Sequence, residues 1–321
     1  EYKKRVKNIK FNQSIQQGKA IDDQGTGMSD IFDFMDQNFK VTYLDRTFGA
    51  TVTGIKLADI DDNATKDLYH LWLERSLLIF PAQHLTNEEQ VRFAKRFGKL
   101  EFDLSPISNV RTDGTVRDAK DDDIVKSLRG NMEWHHDSTY MPVQAKGAVF
   151  TAHQVPSKDG RTGWADMTAA YEALDQNMKD KIEELSAYHS YEWSQQERYG
   201  HKPQSESEFN GYGFDVDPKP LRPLVKIHPE TGKKTLTIGR HAYKIPGLPD
   251  QEARDLVKHL EDFACQEPRT YHHSWTAGDA VIWDNRNLMH QAQPWDLTEP
   301  RIMYHARLEG DAKSESALNY K

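Results

Sequence analysis

Three side chains in this sequence have the types and spacing to hold a metal ion. His135 and Asp137 stand two apart in Trp134-His-His-Asp137, and His290 closes the distant run Trp283-Asp-Asn-Arg-Asn-Leu-Met-His290. Two imidazoles and one carboxylate make the facial set that leaves positions of ferrous iron open for a cosubstrate and dioxygen, so the chain reads as an oxygenase. Extended backbone accounts for the spacing: alternate side chains share a face, so one strand end offers His135 and Asp137 while His136 points away. The third ligand must come from another strand, and the apolar, β-branched run from Asp279 to Asp284 brings His290 in just beyond its end. A His-x-Asp step alone says little in a chain with 14 histidines. The same side chains also suit a zinc hydrolase, or a jelly-roll binding protein that keeps a metal without turnover.

Two further residues narrow the choice. A dicarboxylate that chelates iron through its 2-keto acid end needs its far carboxylate neutralised inside the protein, and a guanidinium fork does this with two parallel charge-assisted hydrogen bonds. Arg301, in Pro300-Arg-Ile-Met-Tyr-His-Ala-Arg307, is the candidate fork. Thr162, in Gly160-Arg-Thr-Gly-Trp-Ala-Asp166, adds a hydroxyl donor. A lone arginine is ordinarily a surface residue; its combination with the triad singles this one out. The binding-protein alternative has no need of either residue.

Together, His135-x-Asp137, Gly160-Arg-Thr162, Trp283-Asp-Asn-Arg286, His290 and Arg301 resemble the taurine dioxygenase family of iron(II)/2-oxoglutarate oxygenases. The likeness is closest to its aryloxyalkanoate (phenoxy-herbicide) branch. It is carried by Gly49-Ala-Thr-Val-Thr-Gly54, Gly130-Asn-Met132, Asp137-Ser-Thr-Tyr-Met-Pro-Val143, Pro220-Leu-Arg-Pro-Leu-Val225, His228-Pro-Glu-Thr-Gly232 and Ile238-Gly-Arg-His241, and runs from about Val41 to about Gly310. The resemblance implies Fe(II) on His135, Asp137 and His290, 2-oxoglutarate on Thr162 and Arg301, and dioxygen as oxidant. It further implies conversion of 2-oxoglutarate to succinate and carbon dioxide, coupled to oxidation of a substrate C–H bond. Two departures stand out. Where taurine-specific members have an arginine for the sulfonate, this chain has His305, a poor fixed anion clamp near neutral pH; Arg307, on the same strand face, could substitute. At His136 the herbicide branch tends to carry a small residue.

The substrate implied is a small carboxylate with an apolar body, aryloxyalkanoate-like or an N-substituted amino acid. Asn109, Phe102 and Leu104 are its candidate contacts, together with His305 and Arg307. Hydroxylation beside an ether oxygen or a substituted nitrogen gives a product that collapses with bond cleavage. Radical ring closure, as in kainoid-forming oxygenases, is open to the same cofactor chemistry. Asp284, close to His290 in sequence, is available to hold the second imidazole nitrogen of a ligand histidine.

Composition bounds the rest. The 321 residues suit one large domain, and 37% hydrophobic with 10% aromatic content is ample for its core. A net charge of −8 argues against a general nucleic-acid surface. Cys265 is the only cysteine, which removes intrachain disulfides and makes the cytoplasm or another reducing compartment the default. No apolar run is long enough to span a membrane. The chain starts at Glu1, so a leader could precede it. Homo-oligomerisation is compatible with the resemblance.

The elements that must position these residues follow from periodicity. Residues 1 to 38 form a polar, flexible extension in which only Ile31-Phe-Asp-Phe-Met35 could tuck against the body. A mainly β domain with flanking helices, a distorted double-stranded β-helix or jelly roll of cupin type, is expected over 39–312, with a tail at 313–321. Val41–Leu57 reads as short strands, Thr65–Ser76 as a helix, Leu77–Phe80 as a buried strand, and Thr86-Asn-Glu-Glu89 as a capping box opening a helix that closes at Gly98. Gly147–Val155 is a strand, and Thr168–Leu185 is helical with a break near Asp175. Lid loops are expected near 111–130, around the acidic run Asp121-Asp-Asp123, and at 189–220, where aromatic residues lack helical spacing.

Overall fold

The computed structural model describes residues 39–202 and 211–320. The extension and its 31–35 segment lie outside the described residues. Seven strands form the major sheet, in the order β1 (Lys40–Tyr43), β2 (Ala50–Thr53), β3 (Leu77–Phe80), β13 (Ala280–Asp284), β5 (Gly147–Gln154), β15 (Ile302–Leu308) and β4 (Ser105–Ser108). All pairings in it are antiparallel except β2 with β3. A smaller antiparallel sheet, β12 (Thr270–His273), β6 (Thr162–Asp166) and β14 (Leu288–Ala292), supplies the opposite wall. Two minor ribbons complete the frame: β11 (Ala242–Lys244), β7 (Ser186–His189) and β8 (Leu221–Pro223), and the pair β10 (Lys234–Leu236) with β9 (Val225–Ile227).

The period of two decides what each face touches. Leu77, Ile79, Ala148, Phe150, Ala152, Val281, Trp283 and Met303 of the major sheet meet Trp164 of β6 and Leu288 of β14 in one buried cluster, the interior of the jelly roll. Their alternates Leu78, Phe80, Val149, Ile282 and Ala306 turn outward onto Leu68, Trp72, Phe93 and Phe97. Both faces of the central strands are thus dry, which is why Leu77–Phe80 and Ala280–Trp283 read as continuous apolar runs rather than alternating ones. Helix 250–264 buries Ala253, Leu256, Val257, Leu260 and Ala264 together with Ala165 and Met289 on the outside of the smaller sheet.

Local signals set the helix ends. Asp61 accepts from the Ala64 N–H and starts a helix at Asp62, earlier than the apolar spacing alone indicates; it ends where Ser76 turns left-handed at φ 61°. The Thr86/Glu89 capping box is present, but the helix stops at Lys95 rather than Gly98. Helices Met167–Ala173 and Gln176–Ile182 are separated at Leu174–Asp175, with Asp175 capping the second.

Three expectations about irregular segments need correction. Within 111–130, where a lid loop was expected, Asp122 caps helix Asp123–Gly130 and ion-pairs with Arg111 and Arg117, while Asp123 is buried against His201, so the acidic run starts and anchors a helix. The segment from 189 carries helix Tyr191–Tyr199, capped by Ser190. The residues after 312 are no loose tail: a short helix, Ala312–Glu315, is followed by a β-bridge between Ser316 and Val143. Arg222 donates to the carbonyls of Glu315, Thr139 and Met141, and Lys226 pairs with the buried Glu315 carboxylate at 2.6 Å. Removing that carboxylate leaves a largely buried ammonium without its counter-ion, so Glu315→Ala should lower unfolding stability by about 3 kcal/mol in urea titrations. A loss below about 1 kcal/mol would mean this pair carries little of the terminal segment's hold.

Candidate active site

His135 approaches Asp137 and His290 through a different geometry from the regular strand expected. The segment around it makes only an isolated bridge to β14, in which the His135 N–H donates to the His290 carbonyl at 3.0 Å and the His290 N–H donates back at 2.8 Å. This reciprocal pair brings two of the three candidate ligands together directly. On the other side, the Arg240 N–H donates to the Trp134 carbonyl. Gly239, at φ +105°, makes this approach possible, since a Cβ there would lie 2.8 Å from the Trp134 oxygen and 3.3 Å from the His135 Cα. Asp137 is seized through its backbone: Asn285 accepts from the Asp137 N–H at 2.7 Å and donates to the Asp137 and Ala145 carbonyls. Ser138 then turns the chain away with φ 57°.

The ligand atoms of His135, Asp137 and His290 lie within 4.8 Å of one another, and all three residues are buried. Burial pushes the His135 imidazole well below its ordinary pKa, the neighbouring His290 adding to the effect, and brings His290 down to about 4. Burial alone would raise the Asp137 carboxyl, but Arg307, His290 and His305 hold it well below the usual carboxylate range. Near neutral pH the cluster is therefore two lone-pair donors and one anion, the protonation state that metal binding demands. His135 Nδ1 sits 2.7 Å from the Glu133 carbonyl, which leaves Nε2 for a metal. Asp137 Oδ2 has no hydrogen-bond partner among the described residues, as a metal-facing oxygen would not. The donor set fits Fe(II).

Asp284 does not serve His290. Its carboxylate is taken by Arg286 and His228, and His290 Nδ1 has no partner among the described residues. His136, buried, lies 2.9 Å from the Asn285 carbonyl and acts in packing, away from the metal.

A cavity of about 840 Å³ contains the cluster and is lined by Phe102, Leu104, Thr162, Arg301, His305 and Arg307 among others. The two arginines differ in kind. Arg307 donates to Asp137 Oδ1 at 3.1 Å and to Ser138 and faces Glu101; although burial alone would lower it, Asp137 keeps its pKa above the ordinary value. Arg301 is 2% exposed, and its side chain makes no hydrogen bond or ion pair with any described residue, only ring contacts with Phe150 and Trp295. Burial, with nothing to offset it, draws this guanidinium down to about 10. Thr162 Oγ1 accepts from the Trp275 indole at 2.9 Å.

Three expected substrate contacts change meaning. Asn109 does not line the cavity; its amide donates to the Leu297 and Glu299 carbonyls and accepts from the Arg301 N–H, so it fixes the backbone that presents Arg301. His305 stacks on Trp283 with its Nε2 3.4 Å from Asp137 Oδ2, and buried Arg307 is likewise turned to Asp137, so neither is a free anion clamp. Residues missed from sequence include Tyr140, Tyr191, Tyr212 and His241 in the wall, and Asn285 beneath it. Tyr212 belonged to the aromatic recurrence between 189 and 220, while Tyr191 was not singled out within that stretch; Asn285 and His241 had only motif membership to mark them. Ile124, Ser127 and Leu128 of helix 123–130 close another part of the wall.

Comparison with known proteins agrees with this geometry. Residues 40–307 match the model of the taurine catabolism dioxygenase TauD, TfdA family. The chain is 58% identical over 286 residues to the (S)-phenoxypropionate/alpha-ketoglutarate-dioxygenase of Sphingobium herbicidovorans, covering 88% of this chain and 99% of the relative. It is 34% identical to the alpha-ketoglutarate-dependent 2,4-dichlorophenoxyacetate dioxygenase of Cupriavidus pinatubonensis, covering 83% of this chain and 96% of the relative. The crystal structure of AAD-2 in complex with Mn(II) and N-oxalylglycine superposes with a TM-score of 0.80 at 32% identity, over 88% of this chain and 99% of that one. The chain belongs to the TauD/TfdA family and is an Fe(II)- and 2-oxoglutarate-dependent dioxygenase of its aryloxyalkanoate branch.

Proposed function

We propose that the enzyme oxidises the ether-bearing carbon of a small aryloxyalkanoate, with Fe(II) on His135, Asp137 and His290 and 2-oxoglutarate held at its far end by Arg301 and Thr162. The observation that carries this reading is the Arg301 guanidinium, buried in the same cavity as the triad with no counter-ion among the described residues. A buried charge of this kind is costly unless an anion joins it. A dicarboxylate anchored on the metal at one end and on this fork at the other supplies that anion.

Iron with 2-oxoglutarate and dioxygen supplies the oxidant that replaces a substrate C–H by C–OH, with succinate and carbon dioxide released. The chain's residues determine where that oxidant acts. Asn109 sets the position of Arg301, and Arg307 with Ser138 and Asn285 fixes Asp137. Phe102, Leu104, Ile107, Leu128, Tyr140 and Tyr191 give the cavity an apolar, largely aromatic wall that suits an aryl ring and keeps water from the reacting carbon. His241 faces the cavity beside His135 and Tyr140, and Ser194 holds its Nδ1. Hydroxylation at the ether carbon gives a hemiketal or hemiacetal. Its hydroxyl proton passes to the departing aryloxide as the C–O bond breaks, leaving a phenol and a 2-oxo acid. The relative's printed (S)-phenoxypropionate activity makes 2-aryloxypropanoates the first compounds to test.

With (S)-2-phenoxypropanoate, the enzyme should release phenol and succinate in equal amounts, and taurine should not trigger succinate formation. Succinate without phenol would reject the substrate class. His135→Ala should abolish turnover, while Arg301→Ala should raise the KM for 2-oxoglutarate on the order of a hundredfold, as loss of a buried charge partner does; an unchanged KM would exclude Arg301 from the cosubstrate site. Because the two imidazoles are held neutral and Asp137 ionised, Mn(II) affinity should stay flat from about pH 8 to about pH 6. A loss of about fourfold or more across that window in a binding titration would mean that a ligand histidine titrates near its ordinary value of about 6.5.

A further inference from the structure

Trp275 lies just past β12, whose His273 is the cross-strand partner of Thr162 on β6. Its indole N–H donates to Thr162 Oγ1 at 2.9 Å. An indole N–H can only donate, whereas a threonine hydroxyl has one hydrogen and two lone pairs. With one lone pair taken by Trp275, the hydroxyl hydrogen is left to donate, and among the described residues it has no acceptor. Thr162 is 4% exposed and lines the cavity that Arg301 also lines.

We propose that Trp275 is a positioning residue for the cosubstrate: its N–H orients the Thr162 hydroxyl so that its hydrogen points at the far carboxylate of 2-oxoglutarate. The inference rests on reading Arg301 and Thr162 as the holders of that carboxylate.

The arrangement around the indole supports a directed contact. Trp72, Trp164, Trp283 and Trp295 all bury Nε1 without a partner, so burial in this fold does not by itself oblige an indole N–H to bond. Trp275 is only partly buried and could give its N–H to water, yet it gives it to Thr162. The ring is held from two sides, with His273 edge-on at 4.7 Å and Phe150 edge-on at 5.5 Å. His273 is itself anchored at 3.0 Å by Asp279, which also accepts the Thr276 and Ala82 N–H groups. Asp279 thus fixes His273, and His273 and Phe150 together fix the plane of the indole whose N–H meets the Thr162 hydroxyl in the cavity that Arg301 also lines.

The test is calorimetric titration of the anaerobic, Mn(II)-loaded enzyme with 2-oxoglutarate and with 2-oxobutyrate, which lacks the far carboxylate. Trp275→Phe should weaken 2-oxoglutarate binding roughly fivefold while leaving 2-oxobutyrate within about twofold, the size expected for loss of one supporting hydrogen bond. In a Thr162→Val background the Trp275→Phe change should have no further effect, because the two residues act as one unit. Equal weakening of both keto acids would reduce Trp275 to packing and overturn the proposal, as would additive losses in the double variant or unchanged 2-oxoglutarate binding by Trp275→Phe. Failure of the unsubstituted enzyme to bind 2-oxoglutarate would instead overturn the cosubstrate reading, and this inference with it.

Discussion

The site depends on one backbone contact, the two-way hydrogen bond between His135 and His290. Side chains cannot be brought to a common ion from such distant parts of a chain unless the main chain sets their separation, and this pair does so at the point of use. Everything near it serves to hold that contact in register. Gly239 lets a third segment press against residues 134–135, Asn285 grips Asp137 by the backbone, and Arg307 ties the carboxylate to β15. Because both faces of the central strands are packed, small shifts at the cluster meet resistance from every side.

Charge is distributed with the same economy. The fold buries two guanidinium groups in one cavity and satisfies only one internally. Arg307 has Asp137, while Arg301 has aromatic faces and open space. That asymmetry separates a cation that is satisfied inside the protein from one that is not, and an unsatisfied buried cation favours an anionic ligand over a neutral one. His305, stacked against Trp283 and directed at Asp137, lacks the free positive charge that a sulfonate would need.

The jelly roll and the clustering of His135, Asp137 and His290 were legible because their signals are local: residue types at fixed steps, apolar runs, and caps such as Thr86 and Asp175. What sequence could not reveal depended on partners distant in the chain. Asn109 looked like a pocket amide because its strand leads to the cavity, yet three backbone groups near Arg301 take up its polar atoms. Asp284 looked like a histidine's partner by proximity, but Arg286 and His228 already hold it. The acidic run before the triad looked like part of a loop because nothing in its own spacing shows that Asp122 caps a helix and folds back on Arg111 and Arg117, or that His201, far along the chain, packs on Asp123. His241 and Tyr140 stood in stretches that carry the resemblance, but nothing in those stretches said which side chains face the cavity.

The clasp of Arg222 on the Glu315, Thr139 and Met141 carbonyls has a consequence for how the molecule comes into being. The turn carrying Asp137 is braced by a segment made some 180 residues later than itself, and its imidazole partner arrives only shortly before that brace. During synthesis, the turn that carries Asp137 therefore stays unbraced until nearly all of the described chain has been made.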